Sequence, residues 1–168
     1  MVENKIARTI FLILTILTMV TIFIFSNQGG TQSSSISTGV TKWIIEINPK
    51  IKNMEEEQKQ EIIEKVQPII RKIAHFTIYM TLGIMFMGFI STYKVEEKKK
   101  IIITVLFGLI YAITDEIHQG ITGEGRSPRV FDVYIDTLGT TTGFFIMLGI
   151  TQLISNRQNS TKTKIKLH

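Results

Sequence analysis

The sequence contains no cysteine, so it can form no disulfide, no cysteine-ligated zinc or iron–sulfur centre and no thiol nucleophile. Proline is scarce, at three residues, and Trp43 is the only tryptophan. Aspartate is limited to Asp115, Asp132 and Asp136. Residues 9–25 carry no charge at all. That gap is filled by Ile, Leu, Phe, Val, Met and Thr, and three further apolar stretches follow at 73–93, 101–114 and 133–155. Crossing about 30 Å of hydrocarbon takes about 20 helical residues, and each stretch reaches or approaches that length, the third if it continues to His118. The expectation is an all-α integral membrane protein, a four-transmembrane-helix bundle with helices at about 7–25, 72–93, 99–118 and 130–155. At 168 residues the chain suggests one domain, with no room for a separate soluble catalytic module.

The net charge of +5 invites a nucleic-acid reading, but its placement argues for a membrane. With the N-terminus inside, the cytoplasmic pieces hold ten basic residues against three acids, +7. The outer pieces hold nine basic residues against eleven acids, −2. The short inner turn with Lys94, Lys98, Lys99 and Lys100 is where the positive-inside rule is most dependable. Both termini are therefore expected in the cytoplasm, with no nucleic-acid partner. Lys5 and Arg8 ahead of the first apolar run resemble a secretory signal, yet no small-x-small site follows Phe25, so the run reads as an uncleaved anchor.

The bundle itself is expected to span 5–155, with 26–70 as an extracytoplasmic loop and 156–168 as a basic, poorly ordered cytoplasmic tail. Within the loop, 31–37 reads as extended or capping, and 40–47 as an interfacial segment with Trp43 at headgroup depth. The segment 54–67, opening on three glutamates, reads as a short amphipathic helix lying over the outer surface, separated from the second membrane helix by Pro68. Gly120, Gly123 and Gly125 suggest a flexible loop before Pro128.

Chemistry concentrates at the helix ends. Arg71, His75 and Tyr79 recur every four residues on one face of the second membrane helix. The third closes on Asp115, Glu116, His118 and Gln119, with Asp115 sharing a face with His118 and Gln119. Arg126, Arg129, Asp132 and Asp136 lead into the fourth, where Gly139 and Gly143 continue a small-residue face. Alternating helices bring these groups to one outer mouth. An ionisable group in hydrocarbon costs about 2.5–3.5 kcal/mol on insertion scales, so by default such a cluster reads as a functional site. The plainer reading is a neutral network: four acids (Asp115, Glu116, Asp132, Asp136) facing Arg71, Lys72, Arg126 and Arg129, locking the helix ends together.

These residues, in this order, resemble the VanZ-like membrane protein family. The matching pieces are Phe25-Ser26-Asn27-Gln28, Arg71-Lys72-x-x-His75, Asp115-Glu116-x-His118-Gln119, and Arg126 followed by Asp132-Val133-Tyr134-Ile135-Asp136-Thr137-x-Gly139. Where the family commonly has Pro-Gly-Arg, this chain reads Gly123-Glu124-Gly125-Arg126. The resemblance implies a four-helix protein of the bacterial plasma membrane, in a family whose namesake is linked to teicoplanin resistance.

Three functions compete. One is recognition of a membrane lipid, a lipid-linked cell-wall precursor or a glycopeptide by Arg71, His75, Tyr79, Asp115, Glu116, Gln119, Arg126, Asp132 and Asp136, with no cofactor. The alternative is an intramembrane hydrolase or transferase acting on a lipid-linked phosphate. His75, Asp115, Glu116, His118, Asp132 and Asp136 would be its catalytic candidates, and a divalent metal an option. A transporter ranks last, because the polar groups do not line a mid-membrane route. Whether the protein is an enzyme stays open at this point, as does its oligomeric state.

Overall fold

The computed structural model describes residues 5–27, 30–122 and 128–166, with the side chains of 30–37 and 158–166 outside the description. The elements are α1 (Lys5–Ser26), α2 (Gly30–Ile47), the single-turn α3 (Pro49–Lys52), α4 (Glu56–Ser91), α5 (Glu97–Thr122) and α6 (Val130–Lys166), with no strand among the described residues. Four of these helices, α1, α4, α5 and α6, are long and apolar enough to cross a membrane.

The distribution of side chains inverts that of a water-soluble protein. Large apolar residues such as Ile13, Ile16, Leu17, Phe23, Ile102, Leu106, Ile110 and Phe145 face outward. Thr15, Ser26, Thr104, Asp115, Glu116, Gln119, Asp136 and Thr140 are buried. Hydrocarbon on the outside favours this arrangement, because a helix satisfies its own backbone and need hide only its polar side chains.

Two expectations about the segment between the first two membrane helices are corrected. Residues 31–37 and 40–47 are not an extended stretch followed by a short interfacial piece; they form the single helix α2. Thr41 and Ile45 are buried, and α2 packs on α4, so tertiary contact overrides the weak helix propensity of its Ser/Thr-rich start. Pro68 likewise does not end a helix. The segment 54–67 and the second membrane helix are one 36-residue helix, α4, about 54 Å long. An interior proline loses one backbone hydrogen bond and crowds the preceding turn, a cost of about 3 kcal/mol or more. Packing holds the helix across it: α2 lies against α4, where Ile63 is buried, and α1 and α6 pack on it as well. Local caps are orderly elsewhere: the Asn48 side chain accepts from the Lys50 N–H at 3.1 Å, with Pro49 starting α3.

Helix α5 runs through Gly120 to Thr122, so Gly120 belongs to the helix, while Gly123 and Gly125 lie outside the described residues. Helix α6 continues beyond Asn156 to Lys166. Extending a formed helix costs far less than nucleating one.

Close contact between α4 and α6 forms the centre of the bundle. A Cβ on Gly83 would fall on the Thr140 carbonyl oxygen, one on Gly143 on the Met80 carbonyl oxygen, and one on Gly139 would meet the Phe76 carbonyl oxygen at 2.5 Å. The small-residue face expected at Gly139 and Gly143 thus brings two backbones together. At one end of the bundle Arg8 reaches the start of the α4–α5 turn, donating to the Thr92 carbonyl at 3.4 Å and lying 4.1 Å over the Tyr93 ring. At the other end α1 and α5 finish and α6 begins. That end is the mouth.

Candidate functional site

Three helices deliver one acid or base each to a single point. His75 from α4, Asp115 from α5 and Asp136 from α6 offer ligating atoms that all lie within 4.8 Å of one another. The α4–α6 approach at Gly139 sets this geometry, because Asp136 stands one turn before it and His75 one residue before Phe76. Asp115 lies about 10 Å back from the end of α5, and Asp136 about 9 Å beyond the start of α6. The cluster is therefore recessed into the bundle. Helix α6 begins at Val130, which puts Asp136 in its second turn.

Asp136 is fully buried, and neither carboxylate oxygen has a hydrogen-bond partner. His75 Nδ1 lies 3.6 Å from Oδ1, too long for a hydrogen bond though within ion-pair distance. His75 Nδ1 and the Tyr79 hydroxyl are buried and unpartnered as well. Tyr79 adjoins Asp115 and Asp136, and its ring packs 6.2 Å from Tyr111. Asp115 is held differently: the Gln119 side-chain amide donates to Oδ2 at 2.8 Å, one turn along the same helix. Helical spacing of four explains the last pairing, since Tyr111, Asp115 and Gln119 share one face of α5.

The remaining residues separate by role. Glu116 is buried, and its Oε2 accepts from the Arg129 backbone N–H at 2.8 Å. Donors at a helix start lack intrahelical partners, so Glu116 caps α6 from α5. Asp132, near the cluster, leaves Oδ1 buried and unpartnered. His118 does not join. Its ring packs 4.6 Å from Phe23, and Nδ1 lies 3.4 Å from Ser26 Oγ, so it ties α5 to α1. Arg71 stands one turn before His75 on α4 and is half-buried. Arg126 lies outside the described residues.

Two of the four cations in the network expected from the sequence are placed by other contacts. Lys72 lies 4.2 Å over the Phe131 ring, and Arg129 contributes its backbone while its residue is exposed. Sequence reasoning passed over Tyr111 and met Ser26 only within the family-like piece Phe25-Ser26-Asn27-Gln28. Tyr111 donates to the Met19 carbonyl at 2.7 Å and walls the cluster beside Tyr79. Its spacing of four from Asp115 was the available signal. Ser26 carried no such signal, since only the packing of α1 against α5 brings it to His118.

A family model described as VanZ/LLP1 matches residues 11–154, most of the chain. No curated protein and no solved structure matches it.

Proposed function

The chain belongs to the VanZ/LLP1 family, and from that premise we propose that it is a multi-pass protein of the bacterial plasma membrane whose recessed polar site recognises a lipid-linked or glycopeptide ligand. In this reading both termini are cytoplasmic and the mouth faces outward, as the distribution of Lys and Arg favours. The observation that carries the proposal is the unused hydrogen-bonding capacity of His75, Tyr79 and Asp136, buried at one point beneath the mouth. A bundle selected only for stability gains nothing from such groups, because each buried unsatisfied atom costs about 1–3 kcal/mol. Ligand chemistry supplies what they lack.

Arg71, one turn outward on α4, offers a guanidinium suited to a phosphate or carboxylate. Tyr79, Asp115, Gln119 and Asp132 add donors and acceptors around it. The parts of α2 and α4 that precede the recessed site form its cover. A membrane lipid, a lipid-linked wall precursor and a glycopeptide all carry anionic groups of this kind, and a teicoplanin-type protective effect is the outcome that joins the site to the family.

The test is antibiotic susceptibility with teicoplanin, vancomycin and a non-glycopeptide, in cells expressing wild type, Asp115→Asn, Arg71→Ala or Asp132→Asn at matched membrane abundance. Protection against teicoplanin by wild type, lost in the variants, is expected. Absence of protection by wild type would remove resistance from the proposal, and protection retained by all three variants would remove the site. The alternative, an intramembrane hydrolase or transferase on a lipid-linked phosphate, draws on the convergence of one imidazole and two carboxylates. Release of phosphate from such a lipid by purified wild type, abolished by Asp136→Asn, would favour it.

A further inference from the structure

We propose that His75, Asp115 and Asp136 form a binding site for one divalent transition-metal ion, of the Zn2+ or Mn2+ type, held between α4, α5 and α6. The inference goes beyond ligand recognition at the mouth and does not depend on it.

The donor set is the first ground. Three side chains from three helices converge with ligating atoms within 4.8 Å of each other, a spread that one ion at about 2.0–2.2 Å from each donor draws together with side-chain adjustments alone. His75 Nδ1 and Asp136 Oδ1 are 3.6 Å apart. That separation is beyond a hydrogen bond but close to the edge of a coordination tetrahedron. An imidazole nitrogen among the donors favours a transition metal over Mg2+ or Ca2+, which prefer oxygen throughout.

The second ground is independent of the clustering. Asp136 is fully buried, neither of its oxygens has a hydrogen-bond partner, and His75 Nδ1 stands 3.6 Å from one of them. A carboxylate in that position requires a cation or a proton, because an isolated buried charge is not tolerated. Two carboxylates and one neutral imidazole balance a 2+ ion.

Outer contacts match what a metal site requires. Gln119 donates to Asp115 Oδ2 at 2.8 Å, which fixes the carboxylate and leaves Oδ1 for the ion. Three protein donors leave at least one coordination position open, and the Tyr79 hydroxyl, buried and unpartnered, stands beside the cluster to orient whatever occupies it. A phosphate oxygen would fit there, and the cation would remove the repulsion that bare carboxylates exert on an anion.

The experiment uses the full chain, purified in detergent without a polyhistidine tag, stripped with EDTA and reloaded separately with Zn2+, Mn2+ or Mg2+. Bound metal is measured by mass spectrometry after gel filtration, and Co2+ substitution is followed by its visible absorption. The expected result is about one equivalent of Zn2+ or Mn2+ and none of Mg2+, with a Co2+ spectrum showing nitrogen and oxygen ligation. Asp136→Asn and His75→Ala should abolish it, Gln119→Leu should weaken it about 10–100-fold, and His118→Ala should leave it intact. Wild type that retains no Zn2+ or Mn2+, or Asp136→Asn and His75→Ala proteins that bind as much as wild type, would overturn the proposal. Should those two variants fail to fold, wild type alone decides, through bound metal and a metal-dependent rise in melting temperature. No antibiotic or lipid enters this measurement, so it stands or falls separately from the susceptibility test.

Discussion

Two neighbouring acids on α5 show how position within one turn decides a residue's work. Asp115 points into the three-helix junction, held by Gln119, whereas Glu116 turns aside to accept the Arg129 N–H at the start of α6. The Arg129 N–H at that helix start has no intrahelical partner of its own. Glu116→Ala should therefore destabilise the protein by about 1–2 kcal/mol, the scale of a lost N-cap. Glu116→Gln keeps an acceptor at the same place and should cost a fraction of that. Thermal unfolding in detergent reads the difference, and equal losses in both variants would assign Glu116 a role that needs its charge. His75, Asp115 and Asp136 were legible in the sequence because each lies on a face marked by spacing of four and the helices alternate in direction. The direction of His118 was not. A step of three residues turns a helix by about 60° from the starting face, so His118 could point toward Asp115's partners or away. The neighbouring ring of Phe23 and the Ser26 hydroxyl decide it, and neither is visible from α5 alone.

At the scale of elements, the site depends on how closely α4 and α6 approach. Gly83, Gly139 and Gly143 allow one backbone to rest on the other, and a Cβ at Gly143 would collide with the Met80 carbonyl oxygen. Backbone cannot yield as a flexible side chain can, so Gly143→Ala must push the helices apart. Overpacking of this kind costs about 1–3 kcal/mol. Gly149, farther along the same helix, has nothing within 4 Å of its missing Cβ. Gly149→Ala should be neutral, or stabilising by about 0.5–1 kcal/mol through helix propensity. Unfolding in detergent should place the two variants on opposite sides of wild type, and Gly143→Ala should also weaken any ligand or metal held by His75 and Asp136. Matching behaviour of the two glycines would mean that the close approach does not govern stability. The four membrane helices and their glycine face were legible because long apolar runs and small residues act locally. The continuity of α4 through Pro68 and the helix α2 were not, since both are sustained by contacts between segments that propensity treats separately.

For the whole molecule, one arrangement of charge and one of length have to agree. Helices α4 and α6, at 36 and 37 residues, are each about 54–56 Å long and exceed the roughly 30 Å of a hydrocarbon core. Each must therefore project from the bilayer. The early part of α4 carries Glu56, Glu57, Lys59, Glu61, Glu64 and Lys65, with exposed pairs such as Lys65–Glu61, and cannot lie in hydrocarbon. The opposite end of the bundle carries Lys98, Lys99 and Lys100 in and beside the α4–α5 turn. If the mouth faces outward, α4 projects outside and the late part of α6, with Arg157, projects into the cytoplasm, in keeping with the positive-inside rule. The absence of cysteine makes this measurable without background. Glu57→Cys and Lys98→Cys each introduce one thiol at an exposed position. In intact cells a membrane-impermeant maleimide should label Glu57→Cys and should reach Lys98→Cys only after permeabilisation. The reverse pattern would put the recessed acids on the cytoplasmic side. A lipid-linked wall precursor or glycopeptide arriving from outside could not then reach them, and the site would have to serve a ligand of the inner leaflet.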